Sequence, residues 1–344
     1  MKSPVFGRND FSLCRVPVPS GYQQSQTHCG ICIYEGRYYL STSPYPQIKY
    51  AKYRNLFRVA LSKLSRGHLV DLYKAEGQEN PCLYVGLGDS NPPTEFEPFS
   101  VNPLISKPVG IDGLKAYNSD PDLYIEDGRY YLLNRAVYRI FGDSSSISAI
   151  SRLELLTGDI HDRSKGIDEK ILLKEWDNDH SVSPCLCKHD DRYLLTYLDT
   201  LSALDGKTFN ALYLAEMISL DELTSDLAWR QVEVKSAGLL PWHMSLFSFD
   251  GHLYSIVCCV EKGNINKIWQ MLGIFNQERT EMTIFDKPLT DFSSYRGSAT
   301  VLDNGMFVLY NATLNESVEG GRAVDGREVM MAKIPFSELL ESII

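Results

Sequence analysis

Two histidines, an aspartate and a serine share one register in this 344-residue chain, with an arginine beside its fifth position. Five short phrases recur along it, and eight residues before the turn position of each stand His28, Asp120, Ser183, His243 and Gly297, with Arg296 directly before the last. Imidazoles titrate nearest neutrality, so His28 and His243 can give or take a proton. A carboxylate among them, Asp120, can act as a base or stabilise developing positive charge. Arg296, and Arg135 just past the second phrase, suit two-pronged hydrogen bonding to a carboxylate or sulfate. His28, Asp120 and His243 also make a ligand set that suits zinc or a similar ion. Calcium prefers more oxygen ligands than this set offers. Polar residues at strand starts also cap turns, which is the competing reading of each position alone. Histidine and arginine are not habitual turn residues, so all five together favour a site.

The elements that must position these residues are hairpins. The phrases are Glu35-Gly36-Arg37-Tyr38-Tyr39-Leu40, Asp127-Gly128-Arg129-Tyr130-Tyr131-Leu132, Asp190-Asp191-Arg192-Tyr193-Leu194-Leu195, Asp250-Gly251-His252-Leu253-Tyr254 and Asn304-Gly305-Met306-Phe307-Val308-Leu309. Asp-Gly or Asn-Gly between apolar runs is the strongest short-range hairpin signal, because the tight turn needs positive φ. A strand-like run precedes each phrase, as in Ile31-Cys32-Ile33-Tyr34. A further strand follows each, at Cys82–Val85, Ile150–Leu155, Leu212–Ala215, Trp269–Ile274 and Val329–Lys333. Five such units predict an all-β fold, a five-bladed β-propeller, as one domain over 1–344 with blades starting near 28, 120, 183, 243 and 297. The inner strands of a propeller begin at one end of its channel, so the shared register predicts convergence on one funnel. The longest gap, 92 residues from His28 to Asp120, carries Leu56, Phe57, Ala60, Leu61 and Leu64 at helical spacing, which predicts a helical insertion between blades 1 and 2.

Composition narrows the class. A 44% hydrophobic chain buries a real core, and no apolar run approaches the roughly 20 residues of a membrane span. The formal charge of −10 argues against a nucleic-acid partner, which needs clustered lysine and arginine. The N-terminal stretch lacks the apolar run of a secretory signal, so the eight cysteines read as reduced core thiols in a cytoplasmic protein. Cys29-x-x-Cys32 with Cys185-x-Cys187 would suit a four-thiolate zinc site, but burial in inner strands is the simpler account. Gly86-Leu87-Gly88 lacks the third glycine and the βαβ setting of a dinucleotide fingerprint.

The stretch Asn118-Ser119-Asp120-Pro121-Asp122-Leu123-Tyr124-Ile125-Glu126-Asp127-Gly128-Arg129-Tyr130-Tyr131-Leu132 resembles the second-blade motif of the five-bladed propeller glycosidases, the family 43 arabinanases and xylosidases with their invertase and levansucrase relatives. Trp242-His243 and Tyr295-Arg296-Gly297-Ser298 resemble a bacterial glycosidase-like subgroup. The resemblance implies a glycan or oligosaccharide substrate, and three carboxylates on blades one, two and three. Only Asp120 carries over. His28 stands at the blade-one position, and Val182-Ser183-Pro184 stands where the family has Glu-Gly-Pro. Glycoside hydrolysis generally needs two carboxyl groups flanking the bond. The expectation is therefore a glycoside hydrolase-like enzyme with a non-standard ring: Asp120, His28 and His243 for chemistry, and Arg296, Trp242, Arg135 and Ser183 for binding. No cofactor is expected, with metal-assisted chemistry in the same ring as a further reading. Asp179-His180 and Asp199 are reserve acids. The alternative is a non-catalytic carbohydrate- or protein-binding propeller that has lost the family's acid.

Overall fold

The computed structural model describes residues 3–20, 26–44, 79–88, 92–105, 114–141, 147–177, 181–200, 211–261, 264–292, 294–314 and 327–343. The expected helix between 50 and 64, and Asp179-His180, lie outside these residues. Strands dominate: β1 (Ser12–Leu13), β2 (Gln26–Tyr34), β3 (Arg37–Pro44), β4 (Cys82–Gly86), β5 (Phe96–Pro98), β6 (Leu114–Glu126), β7 (Arg129–Phe141), β8 (Ile147–Asp159), β9 (Glu169–Trp176) and β10 (Ser181–His189). They continue with β11 (Arg192–Asp199), β12 (Ala211–Met217), β13 (Arg230–Lys235), β14 (Leu239–Phe249), β15 (His252–Glu261), β16 (Asn264–Phe275), β17 (Glu281–Pro288), β18 (Ser294–Val301), β19 (Met306–Leu314) and β20 (Arg327–Pro335). One helix, α1 (Phe336–Ile343), follows. No described helix is long and apolar enough to cross a membrane.

Each recurring phrase is a hairpin corner. At Glu35-Gly36, Asp127-Gly128 and Asp250-Gly251 both turn residues have φ between 49° and 72°, the mirror-image turn that matches strand twist. The fifth corner differs. Leu302 and Met306 bracket three turn residues, and only Gly305 adopts positive φ, 76°.

The strands pair into sheets β2-β3-β4-β5, β6-β7-β8-β9 and β1-β20-β19-β18, plus an eight-stranded sheet in which β10-β11-β12-β13 joins β17-β16-β15-β14. That join is the short parallel pairing of β13 with β17, at Glu233–Lys235 against Glu281–Thr283. The first strand of each hairpin unit touches the next, β2 to β6 to β10 to β14 to β18 and back to β2. Because side chains alternate across a strand, both faces of each inner hairpin must be apolar when sheets stack on either side. In β19, Phe307 and Leu309 enter one core with Phe247 and Ile256, while Val308 and Tyr310 enter another with Leu40 and Tyr84. Further cores join Leu83 to Leu132, Leu155 to Leu195, and Leu198 to Val257. The predicted third strands all form, as β4, β8, β12, β16 and β20.

Candidate functional site

The register of candidate residues coincides with a backbone irregularity. In β2, β6, β10 and β18 two residues oppose one on the partner strand, at 28–29, 120–121, 183–184 and 295–296. Such bulges re-aim side chains at sheet ends. His28, Asp120 and Ser183 hold φ of 54–56°, a left-handed conformation that costs free energy for residues with a Cβ. In β14 the extra residue is Trp242, between Pro241 and His243. The three-residue corner of the fifth unit displaces the eight-residue count, so the bulge there holds Tyr295 and Arg296, with Gly297 back in regular pairing.

Three of the expected residues meet. His28 Nε2 lies 2.8 Å from Asp120 Oδ1, and His243 Nδ1 lies 3.5 Å from the same oxygen. All three side chains are at most 3% exposed. The rings of His28 and His243 meet edge to face, with centroids 5.3 Å apart. The outer ring nitrogens are anchored. His28 Nδ1 contacts Thr27 Oγ1 at 2.7 Å and Ser43 Oγ at 2.9 Å, and Glu79 Oε2 lies 3.5 Å away. His243 Nε2 contacts the Tyr295 hydroxyl at 2.8 Å. His28 Nε2 and His243 Nδ1 are buried with the Asp120 carboxylate as their neighbour, and neither they nor Asp120 Oδ2 makes a further hydrogen bond. One donor atom from each residue falls within a 4.8 Å cluster, the only such His/Cys/Asp/Glu group among the described residues. Around a tetrahedral ion with bonds of about 2.0–2.1 Å, donors lie roughly 3.3 Å apart; the 2.8 and 3.5 Å spacings bracket that value. Fixing one ring nitrogen by a hydroxyl leaves the other for an ion.

Electrostatics agree. Burial alone would raise the Asp120 carboxyl, but His28, His243 and Arg135 outweigh it and hold it well below the usual range. Burial pushes the His243 imidazole well below its usual value, and Asp120 opposes this without overcoming it. The site therefore presents an anionic oxygen beside a neutral imidazole.

The other expected residues divide. Arg135 Nη1 lies 3.5 Å from Asp120 Oδ2 and donates to Ser119 Oγ at 3.2 Å, so it belongs to the site. Arg296 is fully buried. Its guanidinium donates to the carbonyls of Met244, Pro121 and Pro184 and to Asp122 Oδ1, at 2.8–3.0 Å. It is a positioning residue that ties β6, β10 and β14 together, with its donors committed to protein acceptors. Ser183 Oγ donates to Met244 O and accepts from Met244 N, each at 2.9 Å, a strap rather than an open hydroxyl. Trp242 is half-buried against Leu240, Val260 and Ile268, with its ring centroid 6.2 Å from that of His243. The sequence reading passed over Tyr295, Glu79 and Asp122. Tyr295 lay inside a quoted phrase and one bulge away from recognition; nothing local marks Glu79.

No protein-family model matches the chain, and no curated protein does. Solved structures do. An N-acetylgalactosamine deacetylase from F. plautii, in complex with blood group B trisaccharide, superposes with TM-score 0.65 at 13% identity, over 97% of this chain and 98% of that one. A GH43_1 enzyme from Xanthomonas citri gives 0.56 at 12%, over 94% and 89%. A GH43 β-xylosidase/α-arabinofuranosidase from a compost microbial metagenome gives 0.54 at 13%, over 92% and 95%. At these identities the likeness is one of fold, shared with the family 43 glycoside hydrolase propellers across most of the chain.

Proposed function

We propose that this chain is a single-domain, five-bladed propeller hydrolase acting on a carbohydrate, with a divalent metal ion held by His28, Asp120 and His243. The five-blade reading is supported by the closed ring of contacts among β2, β6, β10, β14 and β18 and by a core between each neighbouring pair. In it, β1 supplies the fourth strand of the last blade by pairing with β20. Eight unpaired cysteines support a reducing, cytoplasmic setting.

The observation that carries the chemistry is the buried cluster of two imidazole nitrogens against one carboxylate, close enough together to hold an ion. A bound ion of this class polarises a carbonyl and makes hydroxide available near neutral pH. Asp120 and the two imidazoles would hold it, with the Tyr295 hydroxyl orienting His243 and Arg135 steadying Asp120. The glycosidase alternative needs a second carboxyl at the bond, and the blade-three position offers Ser183, strapped to Met244. The geometry thus favours hydrolysis of an acyl substituent on a sugar over cleavage of the glycosidic bond. Such a hydrolysis would join the oxygen of water to the acyl carbon, break that carbon's bond to the sugar nitrogen or oxygen, and pass a proton of the water to the departing atom, giving acetate and the free amine or alcohol. The F. plautii neighbour, a deacetylase, supports that direction.

The test combines elemental analysis with product analysis. One equivalent of zinc-like metal is expected in wild type and none in Asp120→Asn or His243→Gln. Acetate release from a panel of acetylated sugars should stop on chelation and return on metal addition. Reducing-sugar release in place of acetate would restore the glycosidase reading, and binding without turnover across the panel would favour a lectin-like propeller.

A further inference from the structure

Glu79 buries a carboxylate behind His28, at the ring nitrogen that faces away from Asp120. The residue is 8% exposed, and burying a carboxylate costs free energy unless its surroundings compensate. Its Oε2 lies 3.5 Å from His28 Nδ1, which also contacts Thr27 Oγ1 at 2.7 Å and Ser43 Oγ at 2.9 Å. A ladder of buried amides sets where Glu79 stands. Asn80 Oδ1 accepts from Asn118 Nδ2 at 2.8 Å, and Asn118 Oδ1 accepts from Asn134 Nδ2 at 3.1 Å. All three asparagines are at most 2% exposed. Asn118 lies on β6, two residues before Asp120, and the Leu104 amide donates to the Pro81 carbonyl at 2.9 Å. The segment that carries Glu79 is thereby tied to the strand that carries Asp120.

We propose that Glu79 is the positioning residue of His28: it holds the imidazole proton on Nδ1, so that Nε2 turns a bare lone pair toward the ion site. This rests on the metal reading of the axial cluster. A neutral imidazole carries its proton on one nitrogen and binds an ion through the other. The hydroxyls of Thr27 and Ser43 can each donate or accept, so they suit either tautomer. Asp120 Oδ1, 2.8 Å from Nε2, draws the proton toward the wrong nitrogen. A carboxylate only accepts, so among the described neighbours of Nδ1 it is Glu79 that selects the tautomer able to bind. Such a carboxylate behind a ligating histidine also fixes the ring and raises its basicity. The two histidines are unequal in this respect, because His243 Nε2 faces the Tyr295 hydroxyl instead.

Two measurements on the full chain decide the matter, with zinc as the probe. In competition with a chromophoric chelator, Glu79→Gln should bind zinc about ten- to hundred-fold more weakly than wild type. Glu79→Asp, which keeps the charge on a shorter arm, should fall between them. In nitrogen-15 labelled, zinc-loaded protein the His28 Nδ1 proton should resonate far downfield and exchange slowly. It should move upfield and exchange faster in Glu79→Gln, a change that a merely structural role would not produce. Zinc affinity in Glu79→Gln within three-fold of wild type overturns the assignment. So does weakened binding with an unmoved Nδ1 proton. Should the glutamine variant fail to fold, a Glu79→Asp protein equal to wild type in both readouts overturns it. A wild-type chain that takes up no zinc removes the axial reading and this assignment together, whereas normal uptake that ignores Glu79 removes the assignment alone.

Discussion

Asp120 is a single carboxylate answering to two imidazoles and a guanidinium, and its neighbours set when the site is charged. Burial keeps His243 neutral, with its folded value depressed. An unfolded chain takes up that proton below about pH 6.5, while the folded chain does not. Stability from this group is therefore present above about 6.5 and is lost as pH falls from there toward the folded value. Asp120, also depressed, adds a second loss below its unfolded value of about 3.9. In chelated protein, the unfolding free energy should fall from pH 7 to pH 5, with a slope from His243 of at most about 1.4 kcal/mol per pH unit. His243→Gln should flatten that segment; a variant profile parallel to wild type would defeat the assignment. The thiols carry a separate expectation. Burial pushes Cys14, Cys32, Cys82, Cys187 and Cys258 up to about 12. At pH 8 iodoacetamide should leave these five unmodified in the native chain and label them after unfolding, as read by mass spectrometry.

The bulges at the starts of the inner strands make the site, and they depend on a buried cross-tie. Arg296 reaches from β18 to carbonyls on three other inner strands and to Asp122, which also accepts from the Leu186 amide at 3.0 Å. Arg296→Met strands the Asp122 carboxylate and three carbonyls in the interior. Breaking one side of a buried pair costs about 3–5 kcal/mol, so the unfolding free energy from urea titration should drop by that much. Asp122→Leu added to it should recover at least about 1 kcal/mol, because the lone buried charge is gone. A double variant no better than the single would mean that the carbonyls, not the charge, dominate. The hairpins were legible because Asp-Gly corners announce themselves, and from them the meeting of His28, Asp120 and His243 followed. Tyr295 was not legible: the count assumed equal corners, and the fifth has three turn residues instead of two. Arg296 was found, yet its role was misplaced, since position in a register does not reveal that every donor already has an acceptor. The fourth strands, β5, β9, β13 and β17, are short or half-exposed and leave a weaker pattern.

At the scale of the whole molecule, ring closure leaves one seam where the chain's beginning meets its end. The N-terminal segment crosses it. Val5 and Phe6 donate their amides to Pro288 and Leu289 beside β17, β1 pairs with Met330 and Met331 of β20, and Arg15 exchanges backbone hydrogen bonds with the chain at Thr94 and Phe96. One segment therefore binds the fourth, fifth and first units. Phe6 and Phe11 are buried, with centroids 5.7 Å apart, in the core that also holds Phe336 and Leu339 of α1. Removing either ring should cost about 3–5 kcal/mol. Where that cost falls matters more than its size. If the ring is a single cooperative body, Phe6→Ala lowers hydrogen-exchange protection in all inner strands together. If the strap merely clips the seam, protection falls in β20, β17 and β5 and stays high in β6, β7 and β10, which it does not touch. The backbone ties of the strap run to outer strands, and its buried rings share a core with only the fourth and fifth units, so the second pattern is the expected one. A uniform loss across all inner strands in Phe6→Ala would refute it and make the segment part of the folding core.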